Sequence, residues 1–235
     1  MRKLIVGLTI AGLVAWAPLA WAQDSSVGEL VVTAQQLSEY DATETPHVFL
    51  KKRADNLIVA VVVVCDTRDA SQRREELKST LRNLVRQAAK DPSIELGLGE
   101  EIVGAFDESM IDSVIGSATK VDTSQATLLI KTRVLATDTL DSATGRIEKF
   151  VAATPKAGRT EVLVQGDWNL TLFNPEQYRG EVIRLIAADA KQSATAFGAD
   201  YGVMVSGLQL PLSWYQSGPL DLALYIPYRQ EIRLD

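Results

Sequence analysis

Nine consecutive residues, Leu57-Ile58-Val59-Ala60-Val61-Val62-Val63-Val64-Cys65, carry no polar side chain apart from the terminal thiol, and most of them are β-branched. Branching at Cβ stiffens the side chain and favours extended backbone. The run is far too short to cross a bilayer. Asp55-Asn56 before it and Asp66-Thr67-Arg68-Asp69 after it bound it with turn formers. It therefore predicts a central strand covered on both faces, and the rest of the chain must supply the covers.

The covers are legible downstream. Asp69 with Gln72 three residues on resembles a helix cap with a capping box. Leu77, Leu81, Leu84, Val85 and Ala88 then share one helical face, with the charges of Arg73 to Arg82 mostly on the others. Asp91-Pro92 ends that helix, and Ile94 to Leu98 starts another strand. Residues 99–123 mix Gly, Ser, Asp and Thr with short apolar pieces and predict an irregular insertion with one helical turn. Ala126 to Leu135 predicts a strand with Lys131 and Arg133 on one face. Leu140, Ala143, Ile147, Phe150 and Val151 follow at helical spacing before Pro155, with a hairpin turning between Asp141 and Gly145 as the alternative. Thr160 to Phe173 alternates: Val162, Val164, Trp168, Leu170 and Leu172 face one way and Glu161, Gln165, Asp167 and Asn169 the other.

Asn174-Pro175-Glu176-Gln177 then places a capping residue, Pro at the first helical position and Gln at the third. Ile183, Ile186, Ala187, Ala190, Ala194 and Phe197 keep the helical period, and Gly198 stops it. Tyr201 to Leu210 predicts a strand, Pro211 to Pro219 a loop, and Leu220 to Leu234 a last strand interrupted at Pro227. Val48 to Leu50 is a short strand candidate before a turn over Lys51 to Asn56. The two strand–helix–strand pieces predict an α+β fold of ferredoxin-like units, with helices packed on mostly antiparallel sheets.

The chain opens with Arg2-Lys3, an apolar stretch from Leu4 to Ala20 and the small-residue site Ala20-Trp21-Ala22. That order predicts a signal peptide over residues 1–22, cleavage after Ala22 and a periplasmic location. Removing it leaves 22 basic against 30 acidic residues, a net charge of −8. So acidic a chain argues against nucleic acid as a partner, and no later apolar run reaches membrane-spanning length. Residues 23–46 are polar and read as a flexible arm with one β-prone run, Glu29 to Ala34, a candidate contact for an envelope protein. This run resembles the TonB-box region of outer-membrane receptors, although the chain that follows is too short for a receptor barrel. Residues 47–235 form the remaining domain.

Catalytic chemistry is thinly supplied. Cys65 is the only cysteine and His47 the only histidine, so no internal disulfide forms and neither a metal site nor a cofactor is expected. Cys65 reads as a buried small hydrophobe at a strand end. No Gly-rich phosphate loop or nucleophile elbow occurs. Asp66, Asp69 and Asp167 are the carboxylates a hydrolase would use, against their reading as turn, cap and surface residues. Trp168, Trp214, Tyr215, Tyr225 and Tyr228 are the aromatic candidates for a pocket, with Trp214, Tyr215 and Tyr228 the ligand or interface residues singled out.

Several segments together resemble the SIMPL family of secreted bacterial proteins. Leu57 to Ala89 fits that family's first strand and helix, and Val162 to Leu172 a late strand. Asn174-Pro175-Glu176-Gln177-Tyr178 leads into the Ala-rich helix through Ile186 to Lys191. Ala194-Thr195-Ala196-Phe197-Gly198 into Val203-Met204-Val205-Ser206 matches the helix, glycine and strand that close it. The chain departs from the pattern at the insertion 99–123 and at Ala54-Asp55-Asn56, where the family has a Pro-Asp turn. The resemblance implies a non-enzymatic, oligomeric envelope or stress-related module and carries over no site residue. The alternatives are a periplasmic small-molecule or peptide binder and a hydrolase with an unrecognised site.

Overall fold

The computed structural model describes residues 29–32, 47–99 and 103–234. The signal segment lies outside them, as does most of the arm. The fold is α+β, as the pattern predicts. Its body is a sheet built from strands β1 (Glu29–Val32), β3 (Asn56–Cys65), β4 (Ile94–Leu98), β5 (Gly104–Ala105), β6 (Gly116–Ser117), β7 (Ser124–Arg133) and β8 (Thr160–Phe173). The spatial order is β1-β8-β3-β7-β4-β5, with β6 beside β7, and every pairing is antiparallel. Helix α1 (Ala70–Ala88) connects β3 to β4 with β7 lying between them, and α3 (Leu140–Ala153) connects β7 to β8. The order β8-β3-β7-β4 with two crossing helices is the ferredoxin-like split βαβ arrangement.

Each helix starts where the local chemistry allows. The Asp69 side chain accepts from the Gln72 amide, and α3 is a helix rather than a hairpin because Thr139 and Ser142 form a reciprocal capping box. Gly145 is tolerated because Ile147, Phe150 and Val151 supply the buried face. Val59, Val61, Val63 and Cys65 point from β3 into a first core with Leu77, Leu81 and Leu84 of α1 and Ile147 and Phe150 of α3. The insertion carries the short helix α2 (Ile111–Val114) and closes this core with Phe106 and Ile111.

A second core lies toward the other end of the sheet. Leu57, Leu170 and Leu172 meet Val182 and Ile186 of α4 (Arg179–Phe197) there. They also meet Leu222 and Leu224 of a three-stranded sheet formed by β2 (Leu50–Arg53), β10 (Ser213–Gly218) and β11 (Asp221–Tyr225). Trp168 packs against both cores. The strands β9 (Tyr201–Ser206) and β12 (Arg229–Leu234) form a separate two-stranded sheet.

Several expectations need correction. β3 is covered fully on one face only, since Ala60, Val62 and Val64 on the other are half-buried. The β8 ladder is interrupted, since Asn169 pairs with Ile58 while Gln165 pairs with Ala60, but the two extra residues keep Val162, Val164 and Leu170 beside Val63, Val61 and Leu57 on one face. Gly166, at φ +87°, provides the backbone for this bulge, and Val164 next to it is exposed. Lys51 to Arg53 is strand rather than turn, because β11 offers it a hydrogen-bonded edge and Asp221 an ion pair to Lys51 at 3.2 Å. Asn174 is not a helix cap. It sits in the left-handed region at φ 44° and makes no side-chain cap bond; Pro175–Tyr178 is a 3₁₀ turn, and the Gln177 side chain donates through Nε2 to the Phe173 carbonyl instead. Within the arm, Glu29–Val32 pairs along β8 as an edge strand. The loop over Pro211 to Pro219 contains β10, and Leu220 to Leu234 divides at Pro227 between two different sheets.

Candidate functional site

The β7 end of the main sheet holds a polar groove. Antiparallel register places Arg133 opposite Asn56, and Lys131 opposite both Ile58 and Glu95. Lys131 and Glu95 form an ion pair at 2.7 Å. Asp55, in the turn before β3, accepts from the Phe173 amide at 2.7 Å, and the Asn56 amide donates to Thr171 at 3.3 Å. Lys52 stands 4.6 Å over the Tyr178 ring, a cation–π contact. Phe173, Gln177 and Tyr178, where β8 turns toward α4, form the opposite wall. The resulting cavity measures about 730 Å³ and adjoins a second of about 310 Å³ that reaches Ser93 and Arg146. Arg133, which lines both, is exposed, and no hydrogen bond or ion pair holds its guanidinium among the described residues.

The backbone under Arg133 is tied down by an adjacent charge network. Arg146 of α3 reaches Asp138 with two nitrogens at 2.8 and 2.6 Å, Thr132 Oγ1 at 3.1 Å and the Arg133 carbonyl at 2.7 Å. Asp138 also accepts from the Leu135 amide at 2.7 Å and from Ser142 at 3.1 Å. The Arg146 guanidinium above all, then these donors, hold the Asp138 carboxyl far below the usual carboxylate range. The tip of the β7–α3 connection is thus fixed by side-chain bonds rather than by sheet pairing.

The opposite end of β3 is structural. The Glu76 carboxylate accepts from Thr67 Oγ1 at 2.6 Å, Gln72 Nε2 at 2.8 Å, the Arg159 amide at 3.1 Å and Cys65 Sγ at 3.3 Å. These donors, Thr67 first, bring its carboxyl down to about 2. Asp66 binds Arg159 at 2.6 and 3.0 Å beside a hollow of about 430 Å³. The three carboxylates of the hydrolase reading occupy different places: Asp66 in this ion pair, Asp69 at the cap of α1 and Asp167 in the β8 bulge. Cys65 is fully buried, and His47 pairs with Asp189 at 3.2 Å rather than with the thiol.

The aromatic candidates do not form one pocket. Trp214 and Tyr215 are successive residues of β10 and so face opposite sides of the strand. Trp214 packs on the second core, while the Tyr215 ring lies 6.2 Å from Phe49 and 6.0 Å from Tyr225. Tyr228 belongs with Asp189, whose carboxylate lies 3.5 Å from its hydroxyl and also accepts from Gln230 at 2.6 Å. Burial first, then the Asp189 charge, pushes the Tyr228 hydroxyl up to about 12. Nearby, the β9–β12 pair presents Met204 at 49% and Leu234 at 71% exposure, with Ile232 and Phe197 also exposed.

The sequence signals Lys131 and Arg133 as a same-face pair. It gives no signal for Asn56, Glu95, Phe173 and Tyr178 as their neighbours, because register and the turn after β8 bring these together. No described helix is long and apolar enough to cross a membrane. No protein-family model matches the sequence, and no curated protein does.

Proposed function

We propose that this protein is an exported, non-enzymatic module that acts by assembling with copies of itself. One observation carries the reading: β9 and β12 form a two-stranded sheet whose outer edges have no further strand among the described residues, with apolar side chains exposed beside them. An unpaired strand edge is a template for another strand. The edge sequence of β12, Arg229-Gln230-Glu231-Ile232-Arg233-Leu234, is complementary to itself. A two-fold antiparallel pairing centred on Ile232 sets Glu231 of each copy against Arg233 of the other and Ile232 against Ile232. The tripartite N-terminal sequence supports export, and the likeness to SIMPL proteins supports assembly.

Light scattering or native mass measurement on the exported chain tests this. A multiple of the monomer mass is expected. Glu231→Arg, which sets Arg against Arg, should shift the population toward monomer, and adding Arg233→Glu should restore the assembly. A monomer at tens of micromolar, or a single swap without effect, would refute the reading.

A further inference from the structure

We propose that the groove at the end of β7 is a binding site for a small organic acid, with its carboxylate or phosphate group on Arg133 and its flat apolar body on Phe173 and Tyr178. Charge accounting within the groove favours an anion. The acids that line it are engaged: Glu95 with Lys131 at 2.7 Å and Asp55 with the Phe173 amide at 2.7 Å. The neighbouring arginines are engaged as well, Arg146 with Asp138 and Arg53 with the Leu135 and Asp138 carbonyls. Arg133 is the exception, a planar fork of donors at the junction of two cavities with no partner among the described residues. Such a fork matches carboxylate and phosphate oxygens two at a time.

The other wall accounts for the rest of the ligand. Phe173 ends β8 half-exposed although its strand neighbours Leu170 and Leu172 are buried. Tyr178 presents its ring to the same space with Lys52 over it. A cavity of about 730 Å³ is within the usual range for small-molecule sites. The Asp138–Arg146 network fixes the Arg133 carbonyl, so the donor fork is mounted on a rigid strand end rather than a loose loop. This arrangement does not depend on the β12 edge, so assembly and acid binding stand or fall separately.

Calorimetric or NMR titration of the exported chain with 3-phenylpropionate, phenyl phosphate, inorganic phosphate and the uncharged 3-phenylpropanol tests the site. The two aromatic acids are expected to bind at least tenfold more tightly than the alcohol, and phenyl phosphate more tightly than inorganic phosphate. The tighter of the two aromatic acids identifies the head group. Arg133→Ala should weaken both aromatic acids about tenfold or more, and Arg133→Lys, which keeps the charge but loses the fork, should fall between. Arg86→Ala, on the exposed surface of α1, should bind like the native chain. Failure of both aromatic acids to bind, an alcohol that binds equally well, inorganic phosphate that binds as tightly as phenyl phosphate, or an unchanged affinity in Arg133→Ala would overturn the proposal.

Discussion

Two neighbouring residues of α4 give a direct test of how the second core holds the fold. Ile186 is 1% exposed and lies among Leu170, Leu172, Val182 and Leu224, whereas Leu185, one position earlier, is 38% exposed. Ile186→Ala removes three buried carbon groups. At about 0.8 kcal/mol each, the transfer loss alone is about 2.4 kcal/mol. The main sheet on one side and β11 on the other limit how far the site can collapse. A residual cavity then adds to the loss, for a total of about 3–4 kcal/mol, inside the usual range of about 2–5. For a domain near 190 residues this corresponds to a fall in Tm of roughly 6–16 °C. Leu185→Ala should cost less than about 1 kcal/mol, because its side chain already meets water. Urea unfolding at one fixed protein concentration, followed by circular dichroism, separates the two. The midpoint should drop for Ile186→Ala with little change in slope and barely move for Leu185→Ala. Equal effects, or a neutral Ile186→Ala, would mean that α4 does not bury this stripe.

Two further outcomes follow from the other end of the sheet. The Glu76 carboxyl is lowered from 4.5 to about 2 by its donors, so its stabilising contribution is complete above about pH 5 and lost as pH falls from about 4.5 toward 2. Thermal midpoints should decline across that window, and Glu76→Gln should flatten the decline; a variant as acid-sensitive as the native chain would show that the network does not act this way. Cys65, fully buried beside Glu76, should label with a thiol reagent only on the timescale of unfolding. Stoichiometric labelling within seconds in native buffer would make it an accessible thiol.

The sequence by itself determined the elements whose side chains carry their own period. β3 is visible because nine apolar residues leave no other use for the segment. α1, α3 and the body of α4 are visible because their apolar residues recur at helical spacing, and Asp69 and Thr139 hold their helix starts with bonds made within three residues. Two such strand–helix–strand pieces suffice for the ferredoxin-like fold, since each helix can bury its stripe only against the sheet its strands form.

What the tertiary structure alone decided depends on partners distant in the chain. Ser213–Gly218 has the composition of a loop and becomes β10 because β11 supplies its hydrogen bonds. Pro227 marks a break within Leu220 to Leu234, yet that its halves join β2 and β9 in different sheets is a choice no local pattern encodes. Asn174 has the residues of a cap, but the tight turn out of β8 requires left-handed backbone there. The groove belongs to the same class. Asn56, Glu95 and Arg133 come from three strands, and only their register sets them side by side. Local periodicity reports whether a residue meets apolar surroundings or water. Which residues meet across a sheet is settled by the free energy of the whole assembly, and in this protein the site lies at that level.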